Sequence, residues 1–365
     1  MDNTTTKNWW NMELEGMPDF DSSMKRIYAW YEREIIDRPP VRFSAHNSFV
    51  NEKSIKGSWD SIRDKWFDTE YQVEAYIKSI QGKIFLGETF PVFWPNLGPN
   101  VFASFYGLDL EFDEVTSWAE PKIDDYSKLK EIKLNMNNEY FNKIENLTEY
   151  ALQRCSGKFM VGYTDLHPGL DCAAALRDTQ ELCFDIFENP QEMKELISIS
   201  SRDFHRVYNH FDTMLKLNNQ LSVTWMNIPS FGKMHIPSCD FSAMISPKQF
   251  EEFYLPILQQ EVKGMTHNIF HLDGKGVARQ LDYILEIPEI TAIQWVQGLG
   301  EDKPIMQWIP LIKKIKAAGK AVVVDLEKHE LEGFIAEVDP EGILICIKSD
   351  SEIEQREILK RIERW

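Results

Sequence analysis

The chain has 365 residues, 43% hydrophobic and 12% aromatic, which is enough for a large packed core and too apolar for a disordered chain. Its 58 acidic residues against 40 basic ones give a formal net charge of −18. That balance argues against nucleic acid or an anionic membrane as the main partner and leaves small molecules and other proteins.

The opening MDNTTTKNWWNMELEG has no basic segment followed by an apolar one, so no secretory leader is expected. No apolar run reaches the length of a membrane span, about 18 residues. Five cysteines (Cys155, Cys172, Cys183, Cys239, Cys346) are scattered and never spaced as Cys-x-x-Cys. A disulfide framework is therefore not expected, and a reducing cytoplasm is the expected compartment.

Short β-branched or aromatic runs recur along the chain. They are PVRFSAHN from Pro40, FPVFWPNLGP from Phe90, KFMVGYTDLHPG from Lys158 and QLSVTWMNIPS from Gln220. NIFHLDGKG from Asn268, ITAIQWVQG from Ile290, AVVVDLEKHE from Ala321 and GILICIKSD from Gly342 complete eight. Amphipathic helical stretches separate them, among them Asn189 to Phe211, Ser246 to Met265 and Asp302 to Lys320. A longer insertion runs from Gly107 to Cys155, and a closing helix occupies Ser349 to Trp365. Eight strands alternating with helices predict parallel βαβ units closing into one (β/α)8 TIM barrel. The expected layout is an N-terminal extension (1–34) packed on a barrel (35–365), with insertions in the early βα units.

Polar side chains gather where the strands end, the face on which a barrel carries its chemistry. His46, Asn47, Asn96, Tyr163, Asp165, His167, Trp225, Asn227, His271, Asp273, Trp295, Gln297, Asp325 and Glu327 would ring one mouth. His271 and Asp273 are two apart in a strand and so share a face, placing a nitrogen beside a carboxylate. Such a pair either chelates a metal, moves protons, or is a buried histidine with its orienting partner. Trp94, Trp225 and Trp295 at three strand ends would form an aromatic wall suited to a flat apolar ligand. His205 and His210 are five apart and do not share a helical face, so they read as structural. Cys346, inside ILICIK, reads from its surroundings as a core cysteine.

Several segments in order resemble the uroporphyrinogen decarboxylase superfamily, which includes zinc- and corrinoid-dependent methyltransferases. They are IIDRPPVRF (Ile35 to Phe43), NLGPNVFASFYGLDLEF (Asn96 to Phe112), SPKQFEEFYLPIL (Ser246 to Leu258), IFHLDGKG and the closing DPEGILI. The resemblance implies a (β/α)8 barrel. The decarboxylase itself follows its prolines with an arginine-rich stretch that holds many carboxylates; here, in RPPVRFSAHNSF, Arg42 is the only basic side chain after the prolines. The methyltransferase branch carries His-x-Cys and a later cysteine as zinc ligands. His271 matches the histidine, Asp273 stands where the first cysteine would be, and Cys346 lies near the second, a residue or two early. Glu327 is a further candidate ligand. Replacing thiolate by carboxylate hardens such a zinc site and favours polarising an oxygen, as in a methyl ether.

The resemblance thus implies a methyltransferase that moves a methyl group between a small-molecule donor and the cobalamin of a separate corrinoid protein, in a chain that forms homodimers in some relatives. His46, Asp165, His167 and Asp240 are the expected acid–base or catalytic residues, and Asn96, Tyr163, Trp225 and Trp295 the expected substrate contacts. Asp165, His167 and Gly169 fall one residue short of the Asp-x-His-x-x-Gly pattern that binds corrinoid cobalt. Two rival expectations are a decarboxylase-type lyase using Arg42, Lys275 or Arg279, and a non-catalytic ligand-binding barrel.

Overall fold

The computed structural model describes residues 12–43 and 57–365. Ten strands run in chain order among them: β1 (Val41–Arg42), β2 (Val92–Phe93), β3 (Leu110–Phe112), β4 (Ser117–Ala119) and β5 (Met160–Val161), then β6 (Met234–His235), β7 (His267–Asp273), β8 (Ile290–Val296), β9 (Ala321–Leu326) and β10 (Ile343–Ile347). Six of them form one curled parallel sheet in the order β1-β10-β9-β8-β7-β6. β9 (AVVVDL) and β10 (ILICI) are nearly unbroken apolar runs, as strands covered on both faces must be. The helices Ile309–Ala317 and Leu331–Glu337 connect β8 to β9 and β9 to β10. They bury Ile309, Ile312, Ile315, Leu331 and Phe334.

The expected closed ladder of eight strands is replaced by this six-stranded sheet and a separate parallel pair, β2 with β5. The reason lies in β1, β2, β5 and β6, which are two residues each. Pro39 and Pro40 precede β1, Pro91 and Pro95 bracket β2 and Pro237 follows β6, and a proline has no N–H to give a ladder. Single bonds span the gaps instead. Glu88 N donates to Val41 O (2.7 Å), and Phe43 N to Thr89 Oγ1 (2.8 Å). On the other side Tyr163 N donates to Val223 O (2.9 Å).

The expected strand QLSVTWMNIPS does not form. Ser222 and Ser230 bridge antiparallel to each other, and the turn between them holds Asn227 at φ +55°. The chain doubles back there, and Met234–His235 takes the place beside β7. The insertion contains an antiparallel hairpin of β3 and β4. The helical stretch from Asn189 divides into Pro190–Ser201 and Phe204–Leu217, and the one from Ser246 into Pro247–Phe253 and Leu255–Glu261. Pro256 at the second division cannot donate to the preceding turn.

The helix Phe20–Tyr31 seals the end of the sheet where the strands begin. It buries Phe20, Met24, Ile27 and Trp30. Trp30 Nε1 donates to Val322 O (3.3 Å) and Gly342 O (3.0 Å), the starts of β9 and β10. The Tyr31 ring stacks on His267, the first residue of β7, at 3.7 Å. Buried Glu88 ties Arg38 (2.8 Å), Arg26 (3.2 Å) and the Val41 N–H (2.7 Å) to one carboxylate. The opposite end, where the strands finish, is left for chemistry. No described helix is long and apolar enough to cross a membrane.

Candidate metal and acid–base site

β7 places Phe270 and Leu272 on its buried face, so His271 and Asp273 emerge together on the other. Gln294 of β8 is in register with His271, and its Oε1 accepts from His271 Nδ1 at 2.6 Å. That bond puts the imidazole proton on Nδ1 and leaves the Nε2 lone pair available. His271 N donates to Pro237 O (2.9 Å), so the segment after β6 runs alongside and delivers Asp240. One ligand atom each of Asp240, His271 and Asp273 lie within 4.8 Å of one another. The Trp225 ring meets the His271 ring edge-on, centroids 5.2 Å apart at 90°.

The two glycines after Asp273 have separate tasks. Gly274 takes φ +72°, a left-handed turn that ends the strand. Gly276 lies against Ala243, and a Cβ there would come within 2.8 Å of Ala243 Cβ. The loop after β7 and the 3-10 turn Asp240–Met244 can therefore pack together, which brings Asp240 to Asp273.

A second group adjoins the first. His167 Nε2 is 2.7 Å from Asp165 Oδ2, and His167 Nδ1 is buried with no partner among the described residues. Burial works against a charge on His167, but Asp165, by charge and by hydrogen bond, overrides it, with Asp171 and Asp240 adding to the effect. The imidazole is pushed up from 6.5 to about 10. Asp171 opens the helix Leu170–Arg177 and accepts from Asp240 N (3.0 Å) and Phe241 N (2.9 Å). Burial, then the charge of Asp240, raises its carboxyl to about 6.

Behind these groups lies a sealed polar chain. Tyr163 Oη is 3.4 Å from His235 Nδ1, His235 Nε2 is 2.8 Å from Glu261 Oε1, and Tyr254 Oη donates to Glu261 Oε2 (3.2 Å) and Ser238 O (2.9 Å). Burial pushes the imidazole down and the Glu261 carboxyl up, which favours the neutral form of each. Tyr163 is one of these buried supports and not an open substrate contact.

Other expected site residues lie elsewhere. Trp295 is fully buried against Trp308 (4.8 Å) and lines no mouth, because β8 turns it to the face opposite Gln294. Glu327 is half exposed, pairs with Lys303 (2.7 Å) and caps the turn Lys328–Glu330, so it stands outside the cluster of Asp240, His271 and Asp273. Cys346 also lies outside it, buried in β10 beside Arg42 and Asp325, where burial pushes its thiol up to about 12. Asn96 Oδ1 accepts from Gly98 N (2.7 Å) and shapes a turn. Trp94 is half-buried after β2. His46 and Asn47 fall outside the described residues. The cations a decarboxylase would use are committed: Arg42 donates to Met226 O, Lys275 pairs with Asp302 (2.8 Å), and Arg279 donates to Gly276 O (3.1 Å).

Gln294, Asp171, His235 and Glu261 were not expected from sequence. Gln294 did leave a signal, as the one polar residue between apolar neighbours in AIQWV. Asp171 looks like any acidic residue in a first helical turn, and only the fold shows what it holds.

No protein-family model matches the chain, and no curated protein matches it. Among solved structures, a methyltransferase from Methanosarcina mazei is similar with a TM-score of 0.62 at 10% sequence identity. The match covers 94% of this chain and 98% of that one. At that identity the likeness describes the fold: mixed α/β, shared over nearly the whole of both chains.

Proposed function

We propose that the protein is a methyltransferase that takes a methyl group from a small oxygen-bound donor, such as a methyl ether, and passes it to the corrinoid of a separate protein. The reading is supported by the fold's likeness to a methyltransferase. The observation that carries it is the convergence of Asp240, His271 and Asp273, with His271 Nδ1 already held by Gln294. An imidazole and two carboxylates suit zinc or a similar divalent ion and leave a coordination position for substrate. When bound, such an ion supplies Lewis acidity toward the leaving oxygen.

The chain's own residues do the rest. Gln294 fixes the tautomer and the ring plane of His271. Trp225 gives that ring an apolar wall. Asp165 keeps His167 protonated, and His167 Nδ1 is the atom from which a proton can pass to a leaving alkoxide or phenoxide. The lyase reading finds less support, since Arg42, Lys275 and Arg279 are each engaged elsewhere.

Plasma mass spectrometry of purified wild type and His271→Ala tests the metal half. The expected result is about one zinc per wild-type chain and none in the variant. Cob(I)alamin absorbance in the presence of a methyl ether then tests transfer. Stoichiometric zinc without any change in the cobalt spectrum would point to a binding protein, and no zinc in wild type would overturn the metal site.

A further inference from the structure

We propose that Asp171 is a positioning residue for the metal triad: its carboxylate fixes the backbone of Asp240 so that the Asp240 side chain meets His271 and Asp273. The proposal rests on the metal reading above. Asp240 is exposed and begins a five-residue 3-10 turn, a poor platform on its own for a ligand that must be placed to within a fraction of an ångström. Both oxygens of Asp171 are spent on that turn, Oδ2 on Asp240 N (3.0 Å) and Oδ1 on Phe241 N (2.9 Å). The tie joins residues 69 and 70 positions apart, so it is a tertiary clamp and not a local cap.

Asp171 is itself held rigidly. It follows Gly169 at φ +74°, where a Cβ would come within 3.0 Å of the Tyr254 ring and 3.1 Å of Ile257. Ser200 Oγ donates to Gly169 O (2.9 Å). Tyr254 also fixes Ser238 O, two residues before Asp240 (2.9 Å), and Gln280 Nε2 donates to Ser242 O (2.9 Å) and Ile245 O (3.1 Å) beyond it. The turn is thus gripped on both sides by neutral groups and at Asp240 itself by a carboxylate. Bonds from N–H to an ionised acceptor are the stronger kind. An amide in its place could accept from one N–H but would turn its own NH2 toward the other.

The test measures zinc and cobalt(II) binding by chelator competition, with thermal melts to confirm folding. Asp171→Asn is expected to weaken zinc binding about 10- to 100-fold, the usual effect of losing an outer support of a ligand. Its cobalt(II) visible spectrum should shift toward that of Asp240→Asn. In the Asp240→Asn background the same change should cost nothing further, because the two act as one unit. Should Asp171→Asn fail to fold, Asp171→Glu, which keeps the charge and misplaces it by one methylene, is read the same way. Wild-type affinity and spectrum in Asp171→Asn would overturn the proposal, as would an equal loss in the Asp240→Asn background, which would mean general loosening. If wild type binds neither ion, the metal reading falls and this proposal with it. If His271→Ala abolishes binding while Asp171→Asn leaves it intact, only this proposal falls.

Discussion

Replacing Asp165 with asparagine isolates the electrostatics of the acid–base pair. The Asp165 carboxylate lies 2.7 Å from His167 Nε2, and the two side chains are only 12% and 16% exposed. Burial alone would lower the imidazole's proton affinity, yet the net result is a rise from 6.5 to about 10. A rise of that size favours the imidazolium by on the order of 5 kcal/mol. Since the folded-state value is raised, this contribution to stability is fully present below pH 6.5 and is lost as pH climbs through about 10. Asparagine keeps the shape and removes the charge, leaving burial opposed only by Asp171 and Asp240. His167 should then titrate far closer to an ordinary histidine, and the alkaline fall in melting temperature should flatten. Nitrogen-detected NMR of the imidazoles gives the titration, and thermal melts across alkaline pH give the stability. A wild-type His167 that titrates near 6.5 would refute the reasoning, as would a variant whose curve superimposes on wild type.

Three further expectations follow from the same geometry. Gln294→Leu removes the acceptor at His271 Nδ1 and should weaken zinc binding about tenfold or more, read by chelator competition; unchanged affinity would show that the ring is held by other means. Cys346→Ala should leave metal content untouched and cost roughly 1 kcal/mol of stability in urea melts, since the thiol is buried packing. Loss of zinc in that variant would restore Cys346 as a ligand. His267 is pushed down to about 4 by burial, so the unfolded chain takes up a proton that the folded one refuses, and stability falls as pH drops from 6.5 to about 4. His267→Gln should flatten that acid limb, and an equally steep limb in the variant would assign it to other groups.

The second half of the fold was legible because each of its strands is a long apolar run bounded by turn residues. β7 to β10 fall where NIFHLD, ITAIQWV, AVVVDL and GILICI place them. The earlier strands were harder to read because they are two or three residues long and β1, β2 and β6 adjoin prolines, so hydrophobic pattern could not separate a ladder strand from a doubled-back loop. QLSVTWMNIPS has the composition of a strand, but Asn227 and Pro229 turn it back on itself. The pairing of His271 with Asp273 was visible from period alone. Asp240 was expected at the site only through the resemblance and as an acid–base residue; its place beside His271 and Asp273 depends on the packing of Gly276 on Ala243, which no period shows. Cys346 lies level with Asp325 on β9 and beside Arg42 on β1, within the core, where its apolar surroundings in ILICIK placed it.

The helix that seals the sheet has a consequence for biosynthesis. Trp30 closes onto carbonyls 292 and 312 residues further along the chain. At roughly 5–20 residues per second, those partners are made some fifteen seconds to a minute after the helix itself. Through that interval Met24, Ile27 and Trp30 have no sheet to cover, and an apolar helical stripe is open to any neighbouring chain. A helix made early is thus among the last seated, and the yield of folded protein should depend on how well that stripe is shielded while the ribosome finishes.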